Sequence, residues 1–370
     1  FLEEDTLQQL AAMPEPTQLV YAISHDFPKQ NGFQPALIPR PIHRLHRGDL
    51  TQPRELVEPG VLDCLPNLPS KLKINNDHDE SSRRAALAHW LSDERNVLTW
   101  RSIVNRVWHW HFGQGLSPTP NDFGAMGQAP SHPELLDWLA IWFRDEAKGS
   151  FKKLHRLILS SETYRQRVLD DPSHRGQRID ADNRLLWRMN RQRLTAEQVR
   201  DGIMQLSGRL NSTIGGPPVL HFLHKDDQTF KNTAPPFVDY ANFDPNSPDG
   251  CRRAIYRFIF RTIPDPLLDA LDCPDGSGTV PVRATSSTAQ QALALLNDKF
   301  LLNHAEHMGR RIDDRHKGNI PEQVQAAFQL ILQRQASSPE LKQFATYITS
   351  HGLSNACHLL LNTNEFLYLD

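Results

Sequence analysis

RRAALAHWLSDERNVLTWRSIVNRVWHWHFGQGLSPTPNDFGAMGQAPSHPELLDWLAIWFRDEAKGSFKKLHRLILSSETYRQ, residues 83–166, decides the fold class. Trp100, Ile103, Val104, Val107 and Trp108 recur at helical spacing and predict a helix over Val97–Phe112. Ala85, Leu87, Ala88 and Leu91 begin an earlier helix. Ser131-His132-Pro133-Glu134 reads as a helix start, with a serine N-cap, a proline in the first turn and an acid complementing the dipole. That helix is expected over Leu135–Glu146. Gly149-Ser150 then breaks the chain before a further helix over Phe151–Ser161. Between the helices a Gly/Pro-rich loop, Gly113–Pro133, carries polar groups. Rigid elements under one polar loop are a common way to build a site.

Outward from this stretch the chain changes character. Residues 1–80 are punctuated by proline from Pro14 to Pro69, which rules out long helices and predicts an extended wrap. Short strands are expected at Gln18–Ser24 and Ile42–Arg47, and the polar run at 75–82 offers a helix N-cap. Residues 81–210 form a Trp-rich helical core, ending in a helix that starts near Thr195 within Arg193–Leu210. Residues 211–285 read as a loop-rich insertion. Residues 286–370 read as a C-terminal helical region, with one long helix or two short ones after Ser286-Ser287, then Pro321–Gln333, Pro339–Ser350 and Leu353–Asn362. The expected fold is therefore mainly α: a multi-helix globular body with a proline-rich extended N-terminal wrap and a long central loop region. LHRLILSSETY at 154–164 aligns without gaps with ACHLLLNTNEF at 356–366. Two copies do not make a solenoid, so the expectation is two similar helix ends that each pin an aromatic ring.

Bulk properties exclude several classes. With 370 residues, 39% hydrophobic and 23% charged, the composition fits a soluble globular protein. A net charge of −2 gives no basic field for a phosphate backbone, which argues against nucleic-acid binding. No apolar run is long enough to span a bilayer, and FLEEDTLQQL lacks the features of a signal peptide. Cys64, Cys251, Cys273 and Cys357 form no CxxC or CxxCH spacing, so neither a zinc ribbon nor covalent haem is expected within the chain. The four fit one or two disulfides or four buried thiols, and Cys251 and Cys273, which flank one loop-rich stretch, are the pair expected to bond if any does.

Six of the seven tryptophans lie in the deciding stretch, and the polar residues among them form the first candidate site. His132 suits acid–base work near neutral pH, with Asp122 and Glu134 as carboxylates and Arg106 as a bidentate clamp. Asn105, Trp110 and Asp137 would hold the ligand. Exposed indoles can stack on sugar faces, and Trp110 lies off the apolar stripe while Trp100 and Trp108 lie on it. The structural alternative is that Asp122 caps a turn, His132 caps a helix and Arg106 fixes the loop.

Other constellations are weaker. His109 and His111 diverge on a helix. His221 and His224, with Asp226 and Asp227 nearby, share a face but lack a fixed third ligand, so no metal site is expected. Pro248 spoils DPNSPDG as a calcium loop. Glu197 and Asp201 share a helix face as a carboxylate pair, but Arg193 and Arg200 nearby favour salt bridges. GxSxG, GxxxxGK[ST] and dinucleotide fingerprints are missing.

NRVWHWHFGQGL, PNDFG, SHPELLDWLA, LHRLILSSETYRQ, RLTAEQVRDGI and QQALALLND occur in that order. Together they resemble a C-terminal domain of unknown function in large secreted proteins of Planctomycetes. The resemblance implies a mostly helical module, export to a periplasmic or extracellular site, and a cytochrome-like domain or partner protein upstream of Phe1. Any haem would sit there, since this chain needs no cofactor of its own. The family's arginine-rich approach to QAL is here VRATSSTAQQAL, with Arg283 but without a proline before the glutamines. Two function classes follow: a binding or scaffold module with a possible polysaccharide ligand, or a polysaccharide-active enzyme using Arg106, Asp122 and His132.

Overall fold

A computed structural model of the chain describes residues 40–75, 79–168, 171–219, 223–225, 237–240, 243–259 and 264–369. The strand expected at Gln18–Ser24, most of the N-terminal wrap, and His221, Asp226 and Asp227 lie outside them. The described fold is mainly α, with thirteen α-helices and three two-stranded pairings. The chain divides into two compact units, one up to Arg165 and one from Gln166 on. The boundaries read at 80, 210 and 285 mark changes of composition.

The first unit opens with an antiparallel hairpin, β1 His43–His46 and β2 Asp49–Leu56. Arg47 and Gly48 between them both take positive φ, 51° and 82°, which is the two-residue turn that matches strand twist. Helix α1, Glu80–Ser92, starts at Asp79, whose carboxylate accepts from the Ser81 and Ser82 amides. Helix α2, Val97–Phe112, has the span read from its apolar stripe. It buries Val104, Val107, Trp108 and Phe112. Helix α3, Pro133–Asp145, packs against α2 through Leu136, Leu139, Ala140 and Phe143, an i, i+3, i+4, i+7 stripe. Lys148 and Gly149 reverse the chain at positive φ of 53° and 72°. Helix α4, Phe151–Leu159, then buries Leu154 and Ile158.

The second unit begins with α5, Arg175–Ile179, and the short strand β3, Gln192–Arg193. Thr195 and Gln198 close a capping box on α6, Ala196–Ser207. Short strands β4, Leu223–Lys225, and β5, Phe237–Asp239, pair antiparallel, and α7 covers Pro266–Ala270. The stretch after Ser287 forms two helices, α8 Ala289–Asn297 and α9 Lys299–Asp313. Asp298 makes the break: it is extended, closes α8 with its own N–H and caps α9 by accepting from Phe300 at 2.8 Å. Helices α10, Ile320–Ile331, α11, Ser338–His351, and α12, Leu353–Leu361, complete the body. The short helix α13, Asn364–Leu367, leads into β6, Tyr368–Leu369, which pairs with β3.

Helix α9 is the centre of this unit's core. Leu301, Ala305 and Met308 meet Ile203 and Met204 of α6, Val324 and Phe328 of α10, and Leu360 and Leu361 of α12. Gly309 permits the closest approach. A β-carbon there would stand 2.6 Å from Ser354 Oγ and 3.1 Å from the Ser354 backbone. Alanine at that position must push α12 away, because backbone cannot rotate aside. Gly309→Ala is therefore expected to cost about 1–3 kcal/mol, read as a lower urea midpoint with helix content retained. An unchanged midpoint would show that the two helices slide apart without penalty.

Candidate functional site

The candidate loop leaves α2 at Gly113, whose left-handed conformation (φ 77°) ends the helix. Two turns back, Asn105 is fully buried. Its Oδ1 accepts from the Ser117 N–H at 2.8 Å, and its Nδ2 donates to the Ser117 carbonyl at 3.0 Å. Gly115 makes room for this bolt, since a β-carbon there would stand 2.6 Å from the Ser117 oxygen and 2.8 Å from Asn105 Nδ2. The neck closes further where the Ser131 N–H donates to Leu116 O at 2.9 Å and Ser117 Oγ donates to Gln128 O at 3.2 Å. Asn105 is therefore a buried fastener rather than a solvent-facing ligand group.

Beyond the neck the loop ties itself. Thr119 Oγ1 donates to Asp122 O at 2.9 Å and accepts from the Gln128 N–H at 3.0 Å. Asp122 is exposed, and its Oδ1 accepts from the Gly124 N–H at 2.9 Å, a turn-closing role. Arg106 donates to Asn121 Oδ1 at 2.7 Å. Asp137 is held by Arg101 at 2.5 Å, and Glu134 is exposed in the first turn of α3. The N-cap of α3 is His132, with no side-chain cap bond, and not Ser131. The Ser131 hydroxyl is directed elsewhere, to His132 Nδ1 at 2.9 Å and Leu116 O at 3.4 Å. Among the described residues no hydrogen bond or ion pair joins Arg106, Asp122 and His132. Arg106 reaches Asn121 from α2, Asp122 closes a turn, and His132 contacts Ser131.

The aromatic residues divide by burial. Trp108 is buried and stacked on Phe112 at 4.3 Å. Trp100 is half-buried and donates its indole N–H to Asp93 O at 3.1 Å. Trp110 is 61% exposed on α2. Trp138, 50% exposed on α3, stacks with Trp142 at 6.4 Å and an interplanar angle of 27°. His111 Nε2 lies 2.8 Å from His155 Nδ1, and burial followed by the neighbouring His155 lowers its pKa. Among the described residues no group of three metal-ligating side chains forms.

In the second unit Glu197 pairs with Arg283 at 2.6 Å, so the arginine of VRATSS fastens its segment to α6. Asp201 accepts from the Ala254 N–H at 2.8 Å and lies 3.5 Å from Arg200. The carboxylate pair is thus engaged in salt bridges and a backbone bond. Ser207 and His304 touch at 2.8 Å in the core, in the manner of a nucleophile and base. Ser207 spends its proton on the Met204 carbonyl at 2.9 Å, so His304 must be the donor to Ser207 Oγ and cannot activate it. All four cysteines are free, which corrects the expected Cys251–Cys273 disulfide. Cys251 is buried with its Sγ 3.6 Å from Ser247 O, whereas Cys273 sits against Glu197, where burial pushes its thiol up to about 11.

Sequence reading missed a polar cluster around Asp272. Asp272 accepts from the Ser286 N–H (2.7 Å), Ser286 Oγ (2.8 Å) and Gln291 Nε2 (2.9 Å), with Arg193 at 3.5 Å. Gln291 also closes a capping box with Thr288. The T-x-x-Q spacing was visible, but its partner Asp272 was not.

Two outcomes follow. Asn105→Ala leaves the buried Ser117 N–H and C=O unpaired, so it should cost about 2–6 kcal/mol at 1–3 kcal/mol per orphaned group, seen as a lower melting temperature. A wild-type melting temperature would show that the loop is held elsewhere. Burial lowers the pKa of His304 to about 3 from 6.5. The unfolded chain then binds a proton that the folded chain refuses, so stability falls as pH drops below 6.5, by up to about 1.4 kcal/mol per unit. Urea midpoints between about pH 7 and about pH 5 should fall less steeply in His304→Leu. Equal slopes would sink the assignment.

A family model described as PSD1, protein of unknown function (DUF1553), matches residues 83–348. No curated protein and no solved structure matches the chain. The matched span holds the Trp-rich helices, the bolted loop and most of the second unit. The chain belongs to the PSD1 family of proteins of unknown function.

Proposed function

We propose that this chain is a binding module that presents aromatic side chains of its first unit to a polysaccharide. Trp110 and Trp138, exposed on adjacent helices, carry the reading, with Trp138 backed by the half-buried Trp142. Indole faces bind the apolar faces of pyranose rings, and helix-borne rings give up little freedom on binding. Arg106, Asp122 and His132 are each engaged within the loop, which favours a module over an acid–base enzyme. The periplasmic or extracellular setting, and a cytochrome-like domain or partner carrying haem, rest on the order of motifs alone. Among the described residues no helix is long and apolar enough to cross a membrane.

The test uses a panel of neutral and sulfated polysaccharides, with binding read by affinity electrophoresis and products by mass. Retardation without new products is the expected result, weakened at least about tenfold, the loss of a stacked ring, in Trp110→Ala/Trp138→Ala. New products that vanish in His132→Ala would replace this reading with the enzyme. No retardation by any glycan would overturn it.

A further inference from the structure

We propose that an open groove beside the C-terminal end of α6, lined by α9, binds a phosphate or sulfate ester. This inference does not rest on the aromatic surface of the first unit. The groove has a volume of about 540 Å³, and Gly208, His307, Arg310, Arg311, Asp314 and Arg315 line it. Gly208 takes φ 75°, so the chain passes the groove wall without a side chain.

The arginines are arranged to leave donors available. Arg311 is anchored by one donor, Nη1 to Leu206 O at 2.8 Å. A guanidinium carries five N–H donors, so the anchor fixes its direction while others stay open. Arg310 spends one donor on Glu306 at 3.0 Å and is largely exposed, and Arg315 is exposed beside it. Arg209, next to Gly208, donates to Asn246 O at 2.8 Å, and its buried Nε has no partner among the described residues. Three guanidiniums, of Arg310, Arg311 and Arg315, thus line the groove with one carboxylate, of Asp314, while Arg209 and Glu306 lie close enough to act on His307. The excess is positive, on a chain whose net charge is −2.

His307 registers this field: after burial, Arg209 and Arg310 are the main causes that hold its pKa below the usual value. The negative end of the α6 dipole opposes an anion here, but Arg311 already occupies the exposed carbonyl of Leu206. Forked guanidiniums match tetrahedral oxyanions in geometry as well as charge. The groove is open and leaves room beside the anion, which suits an ester.

The experiment is calorimetric titration of the full chain with glycerol phosphate and glucose sulfate, alongside inorganic phosphate and sulfate. The esters should bind at least about tenfold tighter than the free ions. Arg310→Gln/Arg315→Gln should weaken ester binding at least about tenfold, while Lys342→Gln, an exposed cation on α11, leaves it unchanged. Arg315→Gln alone should give a partial loss, which keeps the test sound should the double variant misfold. No ester binding, an unaffected double variant, or an equal loss in Lys342→Gln would overturn the proposal. Free ions binding as tightly as esters would overturn the ester assignment.

Discussion

Backbone polar groups that leave water must find partners, and this constraint shapes both units. The loop after α2 buries Leu116 and Ser117 outside any helix or strand. Asn105, an amide with one acceptor and two donors, answers the N–H and the C=O of the same residue. No apolar side chain at position 105 can do this. In the second unit a guanidinium takes the same part on a larger scale. Arg200, 4% exposed, donates to Arg252 O at 2.9 Å and Gly250 O at 2.5 Å. Arg252 in turn reaches the carbonyls of Thr213, Gly215 and Pro217 and lies 3.9 Å over the Tyr256 ring.

A buried cation is costly unless its donors are used. Burial, followed by Arg257, lowers the pKa of Arg200 to about 10, which still leaves it charged at neutral pH. Its guanidinium also lies 5.5 Å from the Phe300 ring. The charge is therefore spread over carbonyl dipoles and a ring as well as the Asp201 carboxylate at 3.5 Å. Loop segments held in this way are part of the core in energetic terms, although they contain little regular structure.

The two aligned segments share one device. Ser161 and Thr363 each donate a hydroxyl to the carbonyl three residues back, Ile158 and Leu360, at 2.7 Å. Each accepts from the amide three residues on, Tyr164 at 3.2 Å and Phe366 at 3.3 Å. The helix end is closed and the aromatic residue is aimed in one move. Tyr164 then meets Phe112 edge-on at 5.9 Å, and Phe366 is 9% exposed. This is local chemistry, so it was legible from spacing alone. The helices were legible for the same reason, since apolar periodicity and caps such as Thr195 act within a few residues. The single or double character of the segment after Ser287 was not, because it turns on Asp298, whose burial raises its pKa and is set by tertiary packing. The disulfide expectation failed likewise, for loop proximity in sequence says nothing of where two sulfurs point.

The site residues were legible as polar groups on and beside one loop, but not in their tasks. A carboxylate such as Asp122 serves a turn or a reaction with the same atoms, and only the partners decide. Gly124 N–H takes one Asp122 oxygen, Asn121 takes an Arg106 donor, and Ser131 sits on His132. Groups committed in this way are pre-positioned but not pre-activated. Catalysis gains from groups whose strongest interactions are saved for the transition state. Binding gains from rigid surfaces that lose nothing on contact. A loop bolted at its neck by Asn105, beside a helix that holds Trp110 open to solvent, is a rigid surface of the kind the proposed binding role calls for.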